Sequence, residues 1–186
     1  MGGGARSPAS GAVSGGGRPA ASRATSGHRA PPPDVMVRPA QLSDLDQILE
    51  VEEASFTDPW SRQSFHALFD DPRVFFVVAC SATHQILGYV AAWFVGDEGE
   101  IATLAVAARA RRLRLGSMLL DQAIEAARSR KVRAVYLEVR ASNHAAKALY
   151  ASRGFREIGT RRNYYRRPQE DACVLRLTVP GPDVRK

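Results

Sequence analysis

The sequence predicts one α/β domain built on a mixed sheet, on the strength of three observations. Short apolar runs bounded by polar turns alternate with stretches whose apolar residues recur at helical spacing. Their order along the chain reads βααβββαβαββ, which suits one layered domain of about 150 residues. Hydrophobic residues make up 45% of the chain, enough for a packed core.

The start of the chain lies outside this pattern. Residues 1–35 hold 8 of the 15 glycines and 5 of the 11 prolines, with four arginines (Arg6, Arg18, Arg23, Arg29) and one acid, Asp34. Such a stretch cannot bury enough surface to offset its ordering entropy, so a disordered tail is expected. It lacks the apolar segment of a secretory signal, and its Arg- and Ser-rich, acid-poor composition carries no amphipathic transit-peptide pattern. Arg6 stands where a myristoylation pattern requires Ser or Thr. The domain is expected over 36–178, with 179–186 as a short C-terminal tail.

The elements follow in order. Residues 35–38 read as a strand. Next comes a helix capped by Ser43 or Asp44, with Leu45, Ile48, Leu49 and Val51 on its apolar side. Asp58-Pro59 reads as the cap and first turn of a second short helix containing Phe65 and Leu68. Strands are expected at 74–80, 86–95 and 100–107, separated by polar turns at 81–85 and 96–99. A long amphipathic helix over 109–131 carries Leu115, Met118, Leu119, Ala123 and Ala126. A strand at 134–140 leads to a helix opened by Asn143 and closed by Gly154. Strands at 155–159 and 171–177 complete the domain.

Charge and composition narrow the function classes. The formal charge is +7; the tail carries +3, leaving +4. That remainder equals the four arginines crowded at Arg109, Arg111, Arg112 and Arg114, where a strand end turns into a helix start. A helix N-terminus presents unpaired N–H groups and can seat a phosphate, although a solvated basic turn has the same composition. A nucleic-acid surface is not expected, because no aromatic residues interleave with these arginines. No apolar run approaches the ~18–20 residues of a membrane span. Cys80 and Cys173 are far apart, and the four histidines lack ligand spacing. Neither a disulfide scaffold nor a metal site is expected, and a reducing cytoplasm suits the chain.

One further segment is chemically informative. On the strand at 134–140, Val135, Leu137 and Val139 share one face and Tyr136, Glu138 and Arg140 the other. Glu138 interrupts an otherwise buried strand, either as a functional acid or as an ion-pair partner of Arg140 or the basic helix. Tyr150 lies on the next helix, either as a reacting group or as a core tyrosine whose hydroxyl reaches the surface.

Taken together these segments resemble the GNAT family of acyl-CoA-dependent N-acetyltransferases, from residue 36 to about 178. Arg111-Arg112-Leu113-Arg114-Leu115-Gly116 lies on the family's pyrophosphate-loop pattern, (Q/R)-x-x-G-x-(G/A). FTDPWSRQSF (56–65), YLEVRASNHAAKALYASRGF (136–155), TRRNYY (160–165) and EDACVLRL (170–177) resemble one branch, the bacterial RimI-type ribosomal-protein-alanine N-acetyltransferases. The resemblance implies a mostly antiparallel mixed sheet flanked by helices on both faces, with acetyl-CoA as cosubstrate and no metal. Its acceptor would be the N-terminal α-amine of a protein, a ribosomal protein in that branch. Glu138 would be the general base and Tyr150 the general acid. Acetyl-CoA would be held by the backbone of Leu104, Ala105 and Val106, by Arg111, Arg112, Leu113, Arg114, Leu115, Gly116 and Ser117, and by Asn143. Phe56, Pro59 and Trp60, with Tyr164 and Tyr165, would form parts of the acceptor groove. A lysine, polyamine or antibiotic amine as acceptor, or a cofactor-binding module without chemistry, remains compatible with the same pattern.

One position departs from the family. Arg114 replaces the first loop glycine, which lets the backbone approach the pyrophosphate. In a right-handed helical conformation an arginine fits there and adds a phosphate contact. Pointing inward, it obstructs the cofactor. The tolerated arrangement is expected.

Overall fold

The computed structural model describes residues 34–180; apart from Asp34 and Val35, the expected N-terminal tail lies outside the described residues, as do 181–186. Seven strands form one sheet in the order β1-β2-β3-β4-β5-β7-β6. They are β1 (Val35–Pro39), β2 (Val74–Ser81), β3 (Ile86–Val95), β4 (Glu98–Val106), β5 (Ala134–Arg140), β6 (Arg156–Arg166) and β7 (Gln169–Thr178). Every neighbouring pair is antiparallel except β4 and β5. Four helices complete the fold: α1 (Leu45–Ser55), α2 (Arg62–Phe69), α3 (Leu115–Ser129) and α4 (His144–Ala151).

Adjacent residues of β3 show how the layers are arranged. Tyr89 meets Phe65 of α2 edge-on, ring centroids 5.5 Å apart. A Cβ built on Gly88 would lie 3.2 Å from Leu119 of α3, on the opposite face. The pair α1 and α2 therefore covers one face and α3 the other. Leu149 of α4 approaches Gly116 of α3, so α4 shares the α3 face. Of the apolar positions expected on α3, Leu115, Leu119 and Ala123 are buried and Met118 and Ala126 half-buried, while Leu120, Ile124 and Ala127 are buried as well.

Several boundaries differ from the sequence expectation. Ser61, not Asp58, caps the second helix, its hydroxyl accepting from the Ser64 N–H at 3.1 Å. The Asp58-Pro59 step belongs instead to the loop from α1. The helix expected over 109–131 is broken: a 3-10 turn at Ala108–Ala110 and an irregular turn precede α3, which starts only at Leu115. Strand β6 runs to Arg166, well past the expected 159, although almost all of it is exposed. Its pairing with β7 defines it, and no apolar alternation marks it. Gly154 does end α4's last turn, at φ +88°, a conformation that suits glycine. Val179 is buried and donates to the Arg133 carbonyl at 2.9 Å, continuing the packed chain one residue beyond 178.

One buried carboxyl joins the two layers. Glu52 of α1 is only 1% exposed. It accepts from the backbone N–H of Trp60 at 2.8 Å and from the hydroxyl of Tyr89. Burial pushes its pKa up to about 7, against the lowering effect of those two hydrogen bonds. A carboxyl whose folded pKa lies above its unfolded value binds more protons when folded. Its contribution is fully present below about pH 4 to 5 and is lost as pH rises through about 7. Stability is therefore expected to fall by about 2–3 kcal/mol between pH 5 and 8 from this group. Urea unfolding across that range checks it, and Glu52→Gln should flatten the slope.

Candidate active site

The site begins where two strands part. β4 and β5 pair in parallel only at Glu98, Gly99 and Glu100, opposite Ala134, Val135 and Tyr136. Beyond that point β4 continues along β3 and β5 along β7, so a wedge opens between their C-terminal halves. A register shift at Ala91/Ala92, which leaves Ala102 unpaired, accompanies the divergence. Leu104, Ala105 and Val106 lie on the β4 side of the wedge, with their side chains buried. Their backbone groups on that edge have no β5 partner in the ladder. An extended ligand could occupy such an edge by main-chain pairing.

At the mouth of the wedge the chain turns through Arg111–Arg114 into α3. Arg112 (φ +70°) and Arg114 (φ +63°) both adopt left-handed backbone. Arg114 is the N-cap, and the first regular bond of α3 runs from Met118 N–H to its carbonyl at 3.0 Å. The N–H groups of Leu115, Gly116 and Ser117 thus lack acceptors within the helix, and the helix dipole favours an anion there. Arg109 and Arg111 turn back onto the carbonyls of Ile86 (3.1 Å) and Val106 (3.3 Å). Arg112, Leu113 and Arg114 are exposed. The condition that made an arginine acceptable at 114, a right-handed helical backbone, is not met. A non-glycine residue in left-handed backbone costs about 1–2 kcal/mol. Arg114→Gly is therefore expected to raise unfolding stability by about 1 kcal/mol, the gain reduced by glycine's freedom in the unfolded chain. Denaturant titration of the two proteins checks this.

Glu138 lies on the opposite face from α3, as the strand alternation requires. It lines an open groove of about 460 Å³ with Trp93, Val95, Glu98, Gly99, Glu100, Tyr136, Arg161 and Val174. Its Oε1 is 3.2 Å from Arg161 Nη2. Burial raises its pKa; Arg161 opposes the rise and Glu100 adds to it. Its ion-pair partner is thus neither Arg140 nor the basic helix start, and Arg140 pairs with Glu170 at 3.2 Å.

Tyr150 is buried, at 1% exposure, and its ring packs 5.7 Å from Phe155. It is no surface-reaching core tyrosine. Tyr165 is also buried, and among the described residues its hydroxyl has no hydrogen-bond partner. Burial pushes that phenol's pKa up, Arg140 opposes this, and Tyr164, Tyr150 and Glu138 reinforce it. All four groups thus act electrostatically on the Tyr165 phenol. Tyr164 meets Tyr165 edge-on at 5.2 Å.

The remaining expected residues occupy distinct places. Asn143 caps α4, its Oδ1 accepting from the Ala146 N–H at 3.0 Å. Phe56 is half-buried and Pro59 exposed on the α1–α2 loop. Trp60 is buried instead, its ring 5.4 Å from Phe65 and 5.7 Å from Trp93. It supports the groove through Trp93. Sequence reasoning passed over Trp93, Glu98 and Glu100 in the groove and Glu52 beneath the loop. Glu52 had a legible signal, since it follows Leu45, Ile48 and Leu49 at helical spacing on an apolar face. Among the described residues no group of three or more His, Cys, Asp or Glu is placed to hold a metal ion. No helix among them is long and apolar enough to cross a membrane.

Comparison with known proteins places this geometry. Residues 45–155 match the model of the acetyltransferase (GNAT) family. A Bacillus subtilis protein provisionally named ribosomal protein bS18-alanine N-acetyltransferase is 37% identical over 77% of this chain and 95% of its own length. The ribosomal protein bS18-alanine N-acetyltransferase of Salmonella typhimurium is 34% identical over 74% of this chain and 93% of its own. The crystal structure of the ribosomal-protein-S18-alanine N-acetyltransferase from Escherichia coli superposes with a TM-score of 0.74 at 30% identity, covering 82% of this chain and 98% of that one.

Proposed function

The chain belongs to the acetyltransferase (GNAT) family, and from that premise we propose that it acetylates the N-terminal α-amine of a ribosomal protein that begins with alanine. Acetyl-CoA is the acyl donor and supplies an activated thioester. The observation that carries the reading is the placement of Glu138, a half-buried carboxylate on an open groove where β4 and β5 part. Relatives named for this activity match most of the chain.

Each residue has a defined task. The wedge edge at Leu104, Ala105 and Val106 holds the donor in extended form and directs a backbone N–H at the thioester oxygen, where charge develops. The N–H groups that open α3, at Leu115, Gly116 and Ser117, receive the pyrophosphate with the loop from Arg111 to Arg114 around it, and Asn143 adds a contact from α4. Arg114 is tolerated because its side chain is exposed. Phe56 and Pro59 on one side, with Tyr164 and Tyr165 on the other, receive the acceptor, and Trp60 stiffens the first wall. Glu138 takes the proton from the attacking amine, through a water, and Tyr150 returns one to the departing sulfur. An α-amine has a pKa near ~8, against ~10.4 for lysine, so a useful fraction is neutral at pH 7 and the base has modest work. An open groove, rather than a closed pocket, suits a polypeptide acceptor.

The experiment is thiol release from acetyl-CoA on adding peptides that differ at residue one. Release with an alanine-initiated peptide, and far less with its N-terminally blocked form, is expected. Equal release from both would overturn the reading.

A further inference from the structure

Arg140 ends β5, two residues beyond Glu138 and on the same face. Its guanidinium is used at both terminal nitrogens, twice each. Nη1 donates to Glu170 Oε2 at 3.2 Å and to the Pro168 carbonyl at 3.3 Å. Nη2 donates to Thr57 Oγ1 at 2.9 Å and to the Arg167 carbonyl at 3.0 Å. The Thr57 hydroxyl in turn donates to that same Arg167 carbonyl. The guanidinium also lies 4.0 Å from the centroid of the Tyr165 ring. Glu170 is anchored from behind, its Oε1 accepting from the Ser142 N–H at 2.6 Å.

These partners come from two segments remote in sequence. Thr57 sits in the α1–α2 loop between Phe56 and Pro59. Arg167 and Pro168 form the turn that follows Tyr164 and Tyr165. We infer that Arg140 is a positioning residue for the acceptor, its guanidinium clasping the α1–α2 loop to the β6–β7 turn and so setting the width of the groove between them. This rests on the assignment of those two segments as the groove's walls.

The chemistry suits arginine and no other side chain. Four acceptors in three directions need a planar, multiply donating group; a lysine ammonium offers three donors from one point. The Arg140 and Glu170 side chains are each 18% exposed, so water only partly replaces what is lost. Removing the guanidinium leaves the Glu170 carboxylate and two carbonyls short of donors and frees the Tyr165 ring on one face. The donor side of the wedge, at α3, makes none of these contacts.

The test uses Arg140→Met, which keeps bulk without donors, and Arg140→Lys, which keeps charge without the fork. The acceptor KM should rise roughly 10- to 100-fold in Arg140→Met, as the loss of binding energy shared by ground and transition states does. It should stay raised in Arg140→Lys, while kcat and the acetyl-CoA Kd stay near the parent's. Hydrogen exchange should quicken in both 56–60 and 166–169 and stay unchanged in α3. An unchanged acceptor KM, full rescue by lysine, or loosening of one segment alone would overturn the clasp. So would a parallel fall in acetyl-CoA affinity, which marks general damage. If the parent itself acetylates no peptide N-terminus, the proposed function fails. The exchange measurement still decides the clasp: quickening of both segments supports it, and no change overturns it.

Discussion

Glu138→Gln is expected to lower turnover of an alanine-initiated peptide by roughly 10²- to 10⁴-fold, the usual worth of a positioned general base. The amide keeps the shape of the carboxylate and a hydrogen-bond acceptor towards Arg161. Arg161 is 57% exposed, so losing that ion pair should cost little stability. The thermal midpoint and the acetyl-CoA Kd should therefore stay near the parent's. The pH profile gives a second reading. A base works above its pKa, and burial raises that of Glu138. The acid limb of kcat/KM should thus lie above the ordinary carboxylate range. Removing Arg161, whose charge opposes the rise, should move that limb further towards neutrality. Stopped assays across pH on the three proteins check both points, and unchanged turnover in Glu138→Gln would remove this residue from the mechanism.

Tyr150→Phe is expected to slow turnover on the same ~10²–10⁴-fold scale, for a different reason. The tyrosine is buried against Phe155, and phenylalanine fills the same space. Fold and acetyl-CoA affinity should therefore survive. What is lost is a proton for the departing sulfur. A donor thioester with a more acidic thiol needs that proton less, so the gap between parent and variant should narrow with such a donor. A constant gap, or a variant as fast as its parent, would contradict the acid role.

Much of this was legible in the sequence where local chemistry and tertiary outcome agree. Strand alternation put Glu138 on the face opposite Leu137 and Val139, and the structure keeps it there. Asn143 and Gly154 bound α4 as their caps imply. Other features depend on distant partners. Asp58-Pro59 is as good a local helix start as Ser61. It fails because the Glu52 carboxyl takes the Trp60 N–H and ties this stretch down as a loop. Strand β6 lacks apolar alternation because residues on both of its faces are exposed, and only β7 makes it a strand. The left-handed backbone of Arg114 contradicts what its residue type suggests, since the turn into α3 imposes it. The parting of β4 and β5 is written in neither strand. It exists only in the register between them. Arg140 was visible only as a neighbour of Glu138, and its actual partners lie 27, 28, 30 and 83 residues away.

The most direct measurement offers the enzyme a choice within one molecule. A peptide that begins with alanine and carries an internal lysine is incubated with acetyl-CoA, and fragmentation mass spectrometry locates the acetyl group. Acetylation of the α-amine with the lysine left free is the expected result. An acetyl group on the lysine, with the N-terminus free, would contradict an N-terminal acetyltransferase.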